Sequence, residues 1–520
     1  MKVTKITLTF AKTSLFLLAT IPLLLEARTT AQPSGAVPLP VFTDVTASAG
    51  LNLLGYPFGD PIWGDFDNDG DLDLFVDNHY NKAPYFYRNN GDGTFTDIFL
   101  STTVRFSGDR HGSAWIDLAH TGLLDLHITI GANKGGALGM KEDEFLLNNG
   151  DGTFSEDGEA AGITNTYGRG RSIAWADYDN DGYPDLLLGN LQTQMVFYKN
   201  NGDGTFTDVS AGAGLTGYQY VEVAWADYNN DGYPDVFCTD ALFPFQPSLD
   251  KLLKNNGDGT FTDVTAQAGI QALTFGRSIA WGDYNNDGYL DLFISRGSTT
   301  GLKQTLYKNN GDGTFTDVSD AAKLGVISNN RAAAWGDFDN DGYLDLYVVT
   351  SGNDTDGKGP SYLYHNNRNG TFTDVAATVG AQAVALSRGR GAAWADYDSN
   401  GFLDLFVTNG EDGTAYSQGP QILYHNGGNV NNWLEVKLVG TTSNRQGLGA
   451  RVTITIGRAI QYREMNGSMG HFLSQGSTPL HFGTGKATII NTVVVKWPSG
   501  VVQTLTKVAA DQQLTVVEGQ

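Results

Sequence analysis

The sequence predicts an all-β protein: a seven-bladed β-propeller closed by an N-terminal strand, followed by a small β-rich C-terminal domain. Three observations predict it. A Trp-x-Asp-x-Asp/Asn-x-Asp-Gly-x-x-Asp phrase begins at Trp63, Trp115, Trp175, Trp225, Trp281, Trp335 and Trp394, which uses seven of the nine tryptophans. A second phrase, Asn-Asn-Gly-Asp-Gly-Thr-Phe-Thr-Asp-Val, alternates with it at 200–209, 255–264 and 309–318, with looser copies from Asn89, Asn148 and Asn366. The first Asp of successive loops falls at 65, 117, 177, 227, 283, 337 and 396, and intervals of 50 to 60 residues suit one four-stranded blade each.

Each repeat holds two hairpins. Short apolar runs such as 172–176 and 186–188 flank the first phrase. In the second, Gly-Asp-Gly supplies the positive-φ positions of a tight turn between strand-like Tyr-Lys-Asn and Thr-Phe-Thr-Asp-Val. The two ends of the array have complementary defects. Val41-Phe42-Thr43-Asp44-Val45 is the second half of a hairpin with no first half, and Tyr424-His425-Asn426-Gly427-Gly428 is a first half with no second. Residues 41–45 are therefore expected to complete the seventh blade and close the ring.

The ends of the chain read differently from the repeats. Lys2, Lys5 and Lys12 precede an apolar run from Ser14 to Leu25, with small residues Thr29 and Ala31 beyond it, so 1–31 reads as a signal peptide and 32–40 as a linker. The propeller is assigned to 41–430 and the C-terminal domain to 431–520. Export implies a secreted or extracellular protein, in a periplasm or at a cell surface, with no membrane span after cleavage. A single cysteine, Cys238, excludes an internal disulfide framework. The formal net charge of −24 argues against nucleic acid as a partner.

That charge is concentrated in the loops. With acidic groups at positions 1, 3 and 5, Gly at 6, a carbonyl at 7 and Asp at 9, each loop can wrap a hard cation that wants 6–8 oxygens. The expected ligands are Asp65, Asp67, Asp69, Asp71 and Asp73 in blade 1; Asp177, Asp179, Asp181, Tyr183 and Asp185 in blade 3; and Asp227, Asn229, Asp231, Tyr233 and Asp235 in blade 4. Blade 5 offers Asp283, Asn285, Asp287, Tyr289 and Asp291, and blade 6 offers Asp337, Asp339, Asp341, Tyr343 and Asp345. Blade 7 offers Asp396, Asp398, Asn400, Phe402 and Asp404. Position 7 acts through its carbonyl. About six structural Ca²⁺ are expected as cofactors. The loop from Asp117 has Ala119 at position 3 and Thr121 at position 5, and is expected to be metal-free or weak. An EF-hand is excluded because the residue six after the Gly is Val76 or Leu188 where Glu is required.

These residues resemble the FG-GAP/VCBS repeats of integrin α-chain propellers, whose acidic loops hold structural calcium. Residues beyond 430 resemble the ASPIC/UnbV domain of the cartilage acidic protein family, on Asn432-Trp433-Leu434, the 444–452 run Asn-Arg-Gln-Gly-Leu-Gly-Ala-Arg-Val, His481-Phe482-Gly483-Thr484-Gly485 and Lys496-Trp497-Pro498-Ser499-Gly500. The cysteine-rich modules of larger family members are missing here.

Two functions remain open on sequence. The first is an extracellular binding or adhesion-type scaffold with an unknown protein or glycan partner. It is favoured by the absence of a nucleophile elbow, a zinc-type His-Glu-x-x-His or a phosphate loop. The alternative is a secreted propeller enzyme (lyase, cyclase or hydrolase) with its site at the channel mouth or domain interface. Four residues before the loop Trp stand Arg171, Arg277, Arg331 and Arg390, with His111 in blade 2. They form either a ring that grips an anion or a set of local braces to backbone carbonyls. In the C-terminal domain Arg463, Glu464, His471, Gln475 and His481 form either a polar pocket or ordinary surface and turn contacts.

Overall fold

The computed structural model describes residues 37–51, 54–55, 61–78, 83–104, 108–131, 142–166, 168–239, 249–297, 303–325, 328–351, 359–383, 389–410, 419–469 and 479–520. The signal-like segment at 1–31 and most of 32–40 lie outside these residues, as do His471 and Gln475. No helix among the described residues is long and apolar enough to cross a membrane.

Seven four-stranded antiparallel sheets are present, one per repeat. The first strands of blades 1 to 7 are Pro61–Gly64, Arg110–Ile116, Gly170–Ala176, Glu222–Ala226, Gly276–Gly282, Asn330–Gly336 and Gly389–Ala395. Each lies against the first strand of the next blade, and the seventh lies against the first, so the ring is closed. In blade 7 the outer strand is Phe42–Asp44, which pairs with Ile422–Asn426 in the register Phe42↔Asn426, Thr43↔His425, Asp44↔Tyr424. Phe95↔Asn89 in blade 1 and Phe154↔Asn148 in blade 2 have that same register. The expected closure is what the chain does.

The sequence period has a packing cause. The indole of each loop Trp lies beside the Phe of the outer hairpin, with centroids 6.1 Å apart for Trp63–Phe95, 5.9 Å for Trp225–Phe261 and 6.0 Å for Trp335–Phe372. Phe42 takes this role for Trp394 at 6.1 Å. The aromatic at loop position 2 stacks on the Trp of the following blade: Phe66 on Trp115, Tyr284 on Trp335, and Tyr397 on Trp63 across the closure. Trp225, Trp335 and Trp394 also donate their indole N–H to the preceding blade, at Ala174, Ala280 and Ala334. Such rings bury large apolar areas while satisfying their one polar atom.

The C-terminal domain has two sheets. Asn432–Val439 pairs antiparallel with Leu480–Gly485 and parallel with Gln513–Val517. The second sheet runs in the order Ala459–Glu464, Arg451–Ile456, Ile489–Lys496, Val502–Ala509. Leu434, Val436, Ile454, Phe482, Val493 and Trp497 fill its core. A short strand, Gly467–Met469, leaves this domain and pairs with the first strand of blade 3, with Trp175 opposite Gly467. A Cβ at Gly467 would lie 2.4 Å from the Trp175 carbonyl oxygen, so only glycine permits this approach.

Candidate metal centres

The acidic loops join the first and second strands of each blade. Position 9 is the opening residue of the second strand in every case, from Asp73 to Asp404. Position 4 is in the left-handed region, with φ near 60° at Asn68, Asn180, Asn230, Asn286 and Asn340, and so is the position 6 Gly. Asn tolerates that conformation and Gly is free in it, which lets the loop fold back on itself.

Position 1 collects the backbone of the turn. Asp337 accepts from the N–H of Asp341 at 2.9 Å and of Gly342 at 2.8 Å, and Asp283 and Asp227 do the same in their blades. Position 9 ties the loop to the third strand: Asp185 accepts from Asn200 N–H at 2.8 Å and from Tyr178 N–H at 3.2 Å. The same Asn opens the Gly-Asp-Gly turn, and in six blades its amide donates to the position 2 carbonyl of the preceding blade. Examples are Asn89 to Tyr397, Asn255 to Tyr178 and Asn426 to Phe338, at 2.8 to 2.9 Å. The two repeated phrases are thus one bonded unit.

With the loop so folded, side chains from positions 1, 3 and 9 converge within 4.8 Å of one another at Asp65/Asp67/Asp73, Asp177/Asp179/Asp185 and Asp337/Asp339/Asp345. Blades 4 and 5 have Asn229 and Asn285 at position 3. Several of these oxygens are buried with no hydrogen-bond partner: Asp65 Oδ1, Asp177 Oδ1, Asp179 Oδ1, Asp235 Oδ2 and Asp404 Oδ2. Burial, followed by repulsion between loop carboxylates, pushes Asp177 up to about 7. Burial is also the leading cause that raises Asp73 to about 9 and Asp396 to about 8. It drives Asp185, Asp235, Asp291, Asp337 and Asp345 well above the ordinary carboxylate range. Crowded, desolvated, unbonded oxygens fit a hard cation, which would supply the missing partner.

The loop from Asp117 keeps the frame and lacks the cluster. Asp117 accepts from Thr121 and Gly122, and Asp125 from Asn148, but Ala119 offers no ligand. No acidic cluster forms there among the described residues.

Two features of these loops escaped the sequence reading. The position 4 Asn reaches forward to the next blade, from Asn68 to Gly122 O, Asn180 to Gly232 O, Asn230 to Gly288 O, Asn286 to Gly342 O and Asn340 to Gly401 O. The residue before the third-strand Asn supplies a basic group to its own loop. Lys199 pairs with Asp179 and Asp181, Lys254 with Asp231, Lys308 with Asp287, and His365 with Asp339. Repeated Tyr-Lys-Asn and Tyr-His-Asn triplets were the available signal.

The C-terminal domain lies on this loop face. Lys437 Nζ is 3.4 Å from Asp65, Gln446 accepts from Asp117 N–H, Glu464 accepts from Asp227 N–H, and His481 contacts the Gly401 carbonyl. Arg451 donates to Asn230 and to Gly288 O, and its guanidinium lies 4.0 Å from the Tyr462 ring centroid. Of the five polar residues named in this domain, the three described ones, Arg463, Glu464 and His481, line one cavity of about 160 Å³ together with Asp283 and Asp337 of the blade loops. Docking turns them onto the loops: Arg463 feels Asp337 and Asp283, and Glu464 is raised to about 7, first by burial and then by Asp227. A cavity of about 250 Å³ remains between the domain and blades 7, 1 and 2, edged by Asp65, Asp396, Glu435 and Lys437.

The five candidate ring residues sit at the other end of the first strands. Arg331 Nε donates to Ser351 Oγ, Arg390 Nε to Gly410 O and Arg171 Nη1 to Gly170 O, while His111 Nε2 is 3.2 Å from Asp109. Arg277 lies against Gly297. These contacts lie within the residue's own blade, while Arg171 also lies beside Gly131 and the His111 ring of blade 2 and feels Asp109 of blade 2 and Glu222 of blade 4.

A closed seven-bladed propeller with acidic turn loops, capped on the loop face by a β domain, is the class this architecture defines. FG-GAP-like repeats match residues 65–128, 131–188, 177–238, 241–294, 298–348 and 347–407, and the ASPIC and UnbV family matches 440–520. The chain belongs to the FG-GAP-like repeat family, with an ASPIC/UnbV domain at its C-terminal end. It is 28% identical to cartilage acidic protein 1 of Homo sapiens over 48% of this chain and 37% of that protein. It is 24% identical to the Mus musculus form over 87% and 72%. Against integrin alpha-7 of Rattus norvegicus it is 30% identical over 33% of this chain and 16% of that one. The human alignment therefore spans well under half of its relative's length.

Proposed function

We propose that this chain is a secreted, calcium-loaded propeller that serves as an extracellular binding scaffold, its calcium ions structural. The observation that carries the calcium reading is the set of buried, unpartnered carboxylate oxygens at Asp65, Asp177, Asp179 and Asp235. Ligands would come from positions 1, 3, 5 and 9 and from the position 7 carbonyl. Bound there, the ion offsets the mutual repulsion of the carboxylates and locks the first hairpin of each blade.

Binding is the reading because the metal loops are spent on structure. Their face is covered by the C-terminal domain, which leaves the opposite rim for a protein or glycan partner. The relationship to an integrin alpha chain supports a contact-making role, and the export signal supports an extracellular one. Metal analysis of the chain equilibrated at millimolar calcium should give about six ions, because extracellular modules often bind at ~10⁻⁴–10⁻³ M. One or two ions would refute the reading. Capture from the native secretion, with and without chelator, tests the scaffold role: a partner retained equally without calcium would separate binding from the metal.

A further inference from the structure

The six loops expected to hold metal are not alike. In blades 3, 4 and 5 the basic group offered by the third strand is a lysine, which can neutralise carboxylates but cannot share a metal with them. In blade 7 it is His425. Its Nδ1 lies 3.3 Å from both Asp398 and Asp404, and ligand atoms of the three side chains all lie within 4.8 Å of one another.

Three further facts bear on this loop, the first shared with Asp235 of blade 4. Asp404 is 1% exposed, its Oδ1 takes the Asn426 N–H at 2.7 Å, and its Oδ2 is buried without a hydrogen-bond partner. In blades 1, 3, 5 and 6 that oxygen is occupied by the position 2 N–H. Position 5 is Asn400, so the loop has one fewer carboxylate than blades 1, 3 and 6. Among the described residues, the ion pairs of this loop come from His425 alone. Blade 6 also has a histidine, His365, but there Arg368 Nε bonds Asp341 at 2.7 Å and already supplies a fixed positive charge.

We propose that the blade 7 loop is a mixed imidazole–carboxylate site that selects a borderline divalent metal of the Zn²⁺ type over Ca²⁺. Its side-chain ligands are His425, Asp398 and Asp404. Ca²⁺ wants many oxygens and gains little from a nitrogen, whereas Zn²⁺ is satisfied by four ligands in which imidazole is favoured. The inference rests on the reading of these loops as cation sites, and it assigns one of them a different ion.

The test uses the full chain, stripped with chelator and returned to millimolar calcium. Zn²⁺ is titrated and counted by metal analysis, with Co²⁺ as a spectroscopic substitute whose visible bands report a nitrogen ligand. One Zn²⁺ per chain should persist in excess calcium. His425→Lys, the residue of blades 3 to 5, should weaken it about tenfold or more and abolish the nitrogen-dependent Co²⁺ bands, while His365→Lys leaves both intact. Asp398→Asn serves as a second variant should His425→Lys fold poorly, and should weaken Zn²⁺ similarly. Zn²⁺ fully displaced by calcium, or binding unchanged in His425→Lys, overturns the proposal. Calcium counted in the same samples separates the two readings. Six calcium ions and no zinc refute this inference alone, whereas zinc retained without any calcium refutes the calcium loops alone.

Discussion

Blade 2 and blade 3 have the same loop built from different residues. At position 4 His120 has φ 55° and Asn180 has φ 59°, and at position 6 Gly122 has φ 83° and Gly182 has φ 94°. Gly122 N–H reaches Asp117 at 2.7 Å as Gly182 N–H reaches Asp177 at 3.0 Å, and the Asp125 and Asp185 clamps on the third strand are both 2.8 Å. Among the four side-chain ligand positions only 3 and 5 differ, Ala119 and Thr121 against Asp179 and Asp181. Positions 1, 6 and 9 therefore shape the hairpin, while 3 and 5 serve the ion. Blade 2 keeps its fold with what shapes a loop and gives up what fills it. The Gln446 and Arg445 side chains of the capping domain lie on it instead.

The largest expected effect tests whether ions hold the other blades as hydrogen bonds hold blade 2. Removing calcium should lower the melting temperature by more than ~10 °C, since each site at one hundred times its dissociation constant contributes about 2.7 kcal/mol. A calorimetric scan with and without chelator reads this, and an unchanged melt would mean that every loop behaves like blade 2. Next is the closing strand, which no ion supports directly. Phe42 is buried against Trp394, so Phe42→Ala should cost about 3–5 kcal/mol in denaturant titration even with calcium present.

Within blade 3 the division of labour can be separated. Asp185→Ala leaves the N–H groups of Asn200 and Tyr178 without acceptors and should cost about 1–3 kcal/mol without calcium, and more with calcium because a ligand is lost as well. Asp179→Ala should lower stability when calcium is present and remove one ion, whereas without calcium it relieves the repulsion on Asp177 and Asp185 and should cost less. The reverse experiment is Ala119→Asp with Thr121→Asp, which should add one ion to the count and make blade 2 resemble blade 3.

The last test is the pH profile. Asp177 has its folded value raised to about 7 and Asp73 to about 9, both first by burial. The folded state then holds more protons than the unfolded chain above pH ~4, so without metal stability falls as pH rises from ~4 through 7 to 9. Calcium should abolish that fall by binding the charged form. Melting curves at pH 5 and pH 8, with and without chelator, check the sign.

Much of this was readable in the chain. The position of Trp, the loop Asp spacing and the half-hairpins at 41–45 and 424–428 are local patterns, and each maps onto a contact within a blade or to its neighbour. The forward bond from the position 4 Asn was equally periodic but unread, because an Asn in a tight turn already has a sufficient local reason. Arg463, Glu464 and His481 could not be placed at all. Their partners Asp337, Asp227 and Gly401 are 80 to 240 residues away with no repeat relating them.

The sequence by itself determined the blade count, the closing strand and the acidic loops, because a repeat encodes its own neighbour contacts once per period. Only the tertiary structure decided that the C-terminal domain covers the loop face and that Gly467–Met469 joins the inner edge of blade 3. Those outcomes depend on how two surfaces fit after each has folded. A docking of this kind is written in shape and in single residues such as Gly467 and Lys437, which carry no period and no local signature.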